Sequence, residues 1–294
     1  GLFLLPGNAF GASKRGMRFL LRDIIANKTL FQRSDLPYVV MCGCNIIFNI
    51  DLAEIIDAHE RSGAHATMVY CRAEREHDDD VTALEIGEAG RVRALHAGCS
   101  FGGNKFLDCC VINRDVLLDI IDNYQDVDHL DLFEAIEPEF GRIDVCSYEF
   151  KGLALGVFDE QSYYQRSMEM LRPDLNDRLF NPDRPIMTKA HDAPPAKYCT
   201  GSTVCNSLVS AGCLIQGTVR GSILARDVIV EHGASVSNSI IMQSCVIRSG
   251  ARVENAIVDK NNVIPAQTEL RGTPDATLII PKAPLATKEL ATLD

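Results

Sequence analysis

The segments Gly221-Ser222-Ile223-Leu224, Asn238-Ser239-Ile240-Ile241 and Asn255-Ala256-Ile257-Val258 lie 17 residues apart in each step, and a weaker copy, Asn206-Ser207-Leu208-Val209, precedes them by 15. Other positions keep the interval: Val219, Val236 and Val253; Ile229, Val246 and Val263; Val230, Ile247 and Ile264; Gly233 and Gly250. Self-similarity at such a period is the mark of a solenoid. The isolated aliphatics return every five to seven residues between small and polar ones, which suits short strands and turns, not helix faces. Each coil then buries its apolar column only against its neighbours. The pattern predicts a left-handed parallel β-helix of the hexapeptide type, with one turn per coil shortened. Such a solenoid shapes assemblies or binds; it reveals little chemistry by itself.

The chain is long enough, at 294 residues, for a second domain with its own core. Its 46% apolar and 23% charged residues are ordinary for a globular protein. A net charge of −11 argues against a general nucleic-acid or anionic-membrane role. It leaves room for a local basic pocket that takes a phosphorylated small molecule. No stretch reaches the ~18 apolar residues of a membrane span. The apolar start Gly1-Leu2-Phe3-Leu4-Leu5-Pro6 is short and lacks a basic flank, so it does not read as a signal peptide. Because the first residue is not Met, a preceding segment is expected. Eleven cysteines include Cys42-Gly43-Cys44 and Cys109-Cys110 but no paired C-x-x-C. Most sit among aliphatics, where free thiols behave as small hydrophobes. They predict a cytoplasmic protein with reduced cysteines and no metal site.

Upstream of the repeat, strand and helix patterns alternate. Tyr38 to Cys42 is a buried-strand run, and Asp51 is placed to cap a helix through Leu52, Ile55, Ile56 and His59, with Glu54 three residues on and Gly63 at its end. Ala66 to Tyr70 reads as the next strand, Val81 to Ile86 and Arg91 to His96 as a hairpin, and Phe106 to Ile112 as a further strand. Val116 to Ile121 and Leu132 to Ile136 are predicted helical and Val145 to Phe150 extended, with a closing helix over Tyr163 to Leu171. The alternation predicts an α/β sheet with parallel members over residues 1–171. A linker follows over 172–198, where Pro173, Pro182, Pro185, Pro194 and Pro195 are expected to break any regular element. The β-helix with its C-terminal tail takes 199–294.

Three stretches carry a family resemblance. They are Val39-Val40-Met41-Cys42-Gly43-Cys44-Asn45-Ile46-Ile47-Phe48-Asn49-Ile50-Asp51-Leu52, the run from Ser162 to Leu171, and Pro194-Pro195-Ala196-Lys197-Tyr198 leading into the first coils. With the α/β domain, linker and solenoid they resemble the bacterial glucose-1-phosphate adenylyltransferases of glycogen synthesis, above all the non-catalytic regulatory subunits of GlgD type. The resemblance covers nearly the whole chain. It implies an N-terminally truncated, Rossmann-like nucleotidyltransferase domain ahead of the β-helix, whose glycine-rich phosphate loop lies before Gly1.

The catalytic members join glucose 1-phosphate to the α-phosphorus of ATP and release pyrophosphate. A Mg²⁺ held by carboxylates and substrate phosphates stabilises the shifting charge. The resemblance puts the first metal-binding aspartate in the turn that here reads Gly43-Cys44-Asn45, at Cys44. It puts the second at Gly156, within Leu155-Gly156-Val157-Phe158. Thiol and glycine do not supply hard oxygen ligands. Asp51 is expected to be a helix cap pointing away, and only a register slip brings Asp159 or Glu160 to the second seat. The sugar-phosphate lysine of the family's E-K-P segment is replaced by Leu95-His96-Ala97-Gly98, and its sugar-contacting serine aligns near Phe106 or Leu107.

The expected site is therefore a degenerate pocket of Gly43, Cys44, Asn45 and Gly156, with no catalytic residue, no metal and no cofactor. Asn45 and Asn49 are read as turn-shaping residues with left-handed backbone. Arg15, Arg18 and Lys282 are candidate contacts for a sugar-phosphate effector, set against a plain solvated surface. The function implied is a regulatory subunit, paired with a catalytic one in a hetero-oligomer, a tetramer, that modulates ADP-glucose synthesis. The alternatives are an active, Mg²⁺-dependent nucleotidyltransferase with displaced ligands, an acyltransferase using His232, and a free-standing effector-binding module. For His232 the competing reading is an exposed turn residue; for His96, a strand residue on a polar face; for the run from Glu74 to Asp80, a solvated loop.

Overall fold

The computed structural model describes residues 19–72, 82–97, 103–124, 131–187 and 192–283. It divides into two compact units, Gly1–Gly156 and Val157–Asp294. Among the described residues no helix is long and apolar enough to cross a membrane. The run from Glu74 to Asp80, Arg15 and Arg18 lie outside the described residues.

The described part of the first unit begins with two short helices, α1 (Leu21–Ala26) and α2 (Lys28–Gln32). Then come β1 (Tyr38–Cys42), β2 (Ile46–Phe48), α3 (Leu52–Ser62) and β3 (Ala66–Arg72). The hairpin β4 (Thr82–Ile86) and β5 (Val92–Ala97) turns through Glu88–Gly90. The long strand β6 (Asn104–Asn113) runs into α4 (Arg114–Asn123), and α5 (Leu132–Ile136) leads to β7 (Val145–Glu149) and β8 (Ala154–Gly156).

Six strands form one sheet in the order β5-β4-β6-β3-β7, with β1 also paired to β6. Among its described strands only β3 and β7 run parallel; β1–β6, β3–β6, β4–β6 and β4–β5 are antiparallel. The alternation of strand and helix is as expected, but the described part of the sheet is mostly antiparallel. The reason is β6, which accepts three antiparallel partners. Its residues from Lys105 to Ile112 are all buried, with Met41, Met68, Leu117, Ile120 and Ile136 in the same core.

Asp51 does cap α3: its Oδ1 accepts the Ala53 N–H at 2.9 Å, and Gly63 ends the helix at φ 61°. Glu54 does not complete a capping box. It accepts a hydrogen bond from the Tyr148 hydroxyl at 3.3 Å. His59 is buried between Thr67 Oγ1 at 2.8 Å and Asn113 Oδ1 at 2.9 Å, so a histidine on the apolar helix face is satisfied by two strands.

The second unit is a parallel β-solenoid of three five-stranded sheets. Each sheet stacks equivalent positions of successive coils. Inward columns run Val204, Val219, Val236, Val253 and Leu270; Val209, Leu224, Ile241, Val258 and Ile280; and Ile215, Val230, Ile247 and Ile264. The repeat expected from sequence is therefore the coil. Its first strand is Lys197–Tyr198, paired with Leu214–Ile215 and lying inside the stretch expected to be linker.

Two further expectations change. Pro173 was expected to interrupt regular structure; instead it opens a helix, α7 (Pro173–Leu179). A first-turn proline forfeits no helical hydrogen bond and its fixed φ suits the helix. The helix α6 (Glu160–Glu169), expected to close the first domain, packs on the solenoid. Tyr164 lies against Ile240 and Ile257, and its hydroxyl donates to the Asn238 carbonyl at 2.7 Å. Ile240 is thus an outward residue, 3% exposed because α6 covers it, while Ile241 beside it points into the coil.

Candidate functional site

The strand β1 ends at Cys42, and the chain turns through Gly43, Cys44 and Asn45 before starting β2. Gly43 must approach β6 closely. Its N–H donates to the Asp108 carbonyl at 2.8 Å, and a Cβ at Gly43 would lie 2.9 Å from the Asp108 Cβ. Any larger residue there would push the turn off the sheet. The short antiparallel pairing of β2 with β8 then sets Ile46 opposite Gly156, Ile47 opposite Leu155 and Phe48 opposite Ala154. The Gly43-Cys44-Asn45 turn and Gly156, 110 or more residues apart in sequence, are thereby brought to one place. That juxtaposition joins the two positions that the resemblance marked as metal seats.

The donors at that place do not suit a hard divalent cation. Cys44 is exposed and offers sulfur, its thiol lying 3.9 Å from Asn45 Oδ1; Asn45 offers a neutral amide; Gly156 offers no side chain. Mg²⁺ demands oxygen ligands, usually with one or two carboxylates among them. Two acids close to these positions in sequence serve as helix caps. Asp51 caps α3. In the second unit Asp159 caps α6, its Oδ1 accepting the Ser162 N–H at 2.7 Å while Ser162 Oγ accepts the Asp159 N–H at 2.9 Å. Among the described residues no three His, Cys, Asp or Glu side chains converge to hold a metal.

Asn45 and Asn49 do not adopt a left-handed backbone, so the conformational reason given for them fails. The asparagines that use it are Asn206, Asn238, Asn255 and Asn261 in the solenoid. Sequence reasoning also missed Asp108. It is fully buried, has φ 51°, and packs on Gly43. Its neighbours Cys109 and Cys110 read as strand, and nothing local signals that antiparallel pairing carries Asp108 to the turn. Lys282 is exposed beyond the strand Leu278–Ile280, His232 is exposed just before Gly233, and His96 pairs with Glu85 at 3.0 Å.

Comparison with known proteins bears on this site. Residues 194–275 match the family model described as GlmU-like, C-terminal hexapeptide, consistent with the left-handed β-helix class. The chain is 33% identical over 252 residues to the glycogen biosynthesis protein GlgD of Bacillus subtilis (strain 168), an alignment covering 86% of this chain and 64% of that protein. It is 31% identical over 206 residues to GlgD of Geobacillus stearothermophilus, covering 70% and 51%. The glucose-1-phosphate adenylyltransferase of Corynebacterium glutamicum (strain R) is 27% identical over 243 residues, covering 72% and 58%. The chain is thus similar, over most of its length, to GlgD proteins and glucose-1-phosphate adenylyltransferases. It spans between about half and just under two thirds of the length of these relatives.

Proposed function

We propose that this chain is a regulatory, catalytically inactive subunit that acts on ADP-glucose synthesis in glycogen formation. The observation that carries the reading is the pairing of β2 with β8. It brings the turn of Cys44 and Asn45 to Gly156, the positions at which the resemblance expects hard-ligand carboxylates. Phosphoryl-group chemistry depends on neutralising charge as it moves between oxygens. A thiol, an amide and a glycine do not do this. The names of the relatives support the metabolic setting. The scaffold suits an influence exerted through contact: a partner's rate changes only if the partner's conformational states differ in how they bind this chain. Arg15, Arg18 and Lys282 remain the proposed effector contacts, and the partner is proposed to be a catalytic adenylyltransferase subunit in a hetero-oligomeric tetramer.

The test is an assay of ADP-glucose formation from ATP, glucose 1-phosphate and Mg²⁺. It is run with the full-length protein alone, with a catalytic subunit from the same genome alone, and with both. The expected result is no turnover by the first and a changed rate or effector response in the mixture. Metal-dependent turnover by this protein alone, or a partner that behaves identically with and without it, refutes the proposal.

A further inference from the structure

Cys42 closes β1 and Cys109 lies opposite it in β6. The next pair outward, Gly43 and Asp108, is joined by the Gly43 N–H to Asp108 carbonyl bond at 2.8 Å. Because hydrogen-bonded and non-hydrogen-bonded pairs alternate along an antiparallel ladder, Cys42 and Cys109 form a non-hydrogen-bonded pair, whose Cα atoms lie about 4.5 Å apart. That falls within the roughly 4.4–6.8 Å spanned by disulfides. Residues directly opposite share a face, so the two thiols meet. Cys42 is exposed and Cys109 is completely buried beneath it; both are free thiols.

From this geometry we infer that Cys42 and Cys109 form a thiol oxidation site, in which Cys42 reacts with a peroxide and Cys109 resolves the product into a cross-strand disulfide. The Cys42 thiolate attacks one peroxide oxygen, the O–O bond breaks, and hydroxide leaves Cys42 as a sulfenic acid. The Cys109 sulfur then attacks the Cys42 sulfur, the S–O bond breaks, and the departing hydroxide takes the Cys109 proton to leave as water. The hydroxide from the first step takes up the proton that Cys42 released on ionising, so the two thiols together lose two electrons and the peroxide becomes two waters. A dithiol reductant reverses the step.

The electrostatics assign the roles. The Cys109 thiol donates a hydrogen bond that holds Cys42 down at about 7, against desolvation and the Asp108 carboxylate, both of which push it up. Cys109 is held far above the usual thiol range by that same bond, by burial, and by the nearby Cys42, Cys110 and Asp108. The exposed sulfur is therefore the nucleophile and the buried one the proton-bearing partner. The disulfide would clamp the end of β1 to β6 one residue before the Gly43 turn. The inference does not depend on the proposed function.

The experiment oxidises the purified full-length protein with hydrogen peroxide at pH 7 and maps its peptides without reduction. The expected product is one Cys42–Cys109 linked peptide, lighter by two hydrogens and reopened by dithiothreitol. Cys44→Ser keeps the link and Cys42→Ser abolishes it. Because Cys109→Ser alters a buried position and can unfold the chain, initial alkylation rates in the unmodified protein give a second readout. Cys42 should react on the order of tenfold faster than the exposed Cys205 at pH 7. A disulfide to Cys44 or to a second molecule, or a Cys42 that is no faster than Cys205, overturns the assignment.

Discussion

Ser207, Ser222 and Ser239 form a ladder up one corner of the solenoid, half-buried at Ser207 and buried at Ser222 and Ser239. Ser207 Oγ accepts the Ser222 N–H, Ser222 Oγ the Ser239 N–H, and Ser239 Oγ the Ala256 N–H, each at 3.1 Å. Each hydroxyl also donates to a carbonyl two residues back, of Cys205, Arg220 and Ser237. The preceding residues, Asn206, Gly221, Asn238 and Asn255, all have φ between 44° and 52°, which asparagine and glycine tolerate best. The sequence repeat therefore records a corner, a hydrogen-bond step and a strand in that order. Ser239→Ala should strand the Ala256 N–H in the interior and destabilise the second unit by about 1–3 kcal/mol. Urea titration of the variant checks this, and an unchanged midpoint would show that the ladder contributes nothing. The letters Asn-Ser were visible in the sequence, but their role was not, because a left-handed corner and a buried hydroxyl look alike in a linear pattern. Asp108 was illegible for a different reason: its importance comes from the register of β1 on β6, which no local signal encodes.

At the scale of elements, the longer strands and helices were legible from periodicity and caps, while the short α1, α2, β2, β8 and α7 were not. Their partners were less so. The helix α6 reads as the last member of an alternating α/β series, yet Tyr164 binds it to the solenoid. That helix also buries Ile240 from outside the coil. The period of two along a strand puts Ile240 and Ile241 on opposite faces. The cover that buries Ile240 belongs to a helix about 70 residues earlier, which strand periodicity does not report. The two positions should fail differently. Ile241→Asp places a charge inside the coil, where it has no partner and no water, and should cost several kcal/mol and collapse the solenoid. Ile240→Asp should release α6 while the coils stay folded. Circular dichroism separates the outcomes: loss of the β signal for the first, and its retention with faster proteolysis between residues 160 and 169 for the second. Equal loss of β structure in both would sink the distinction.

At the scale of the whole molecule, the boundary between the two compact units falls at Gly156, not at the residue 171 suggested by the strand–helix alternation. The difference is physical rather than one of bookkeeping. Three contacts tie α6 to the coils: the Tyr164 hydroxyl to the Asn238 carbonyl at 2.7 Å, the Gln161 amide to the Pro274 carbonyl at 2.8 Å, and the Thr277 N–H to Gln161 Oε1 at 3.2 Å. Beneath them Ile240 and Ile257 are only 3% and 4% exposed. A solenoid buries each coil against the next, so its outer faces are the weak part, and an aliphatic face left bare invites association. A piece spanning 157–294 keeps its cover; one spanning 172–294 presents Ile240 and Ile257 to water. Each buried Ile is worth about 1.5–3 kcal/mol of transfer energy, and the lost hydrogen bonds add about 0.5–1.5 kcal/mol apiece. The longer piece should therefore melt at a higher temperature and remain monomeric, while the shorter one melts earlier or self-associates. Scanning calorimetry and sedimentation on the two pieces decide it. Identical melting with both pieces monomeric would mean that α6 is a passenger on the solenoid, and that the chain's division lies where the alternation alone had placed it.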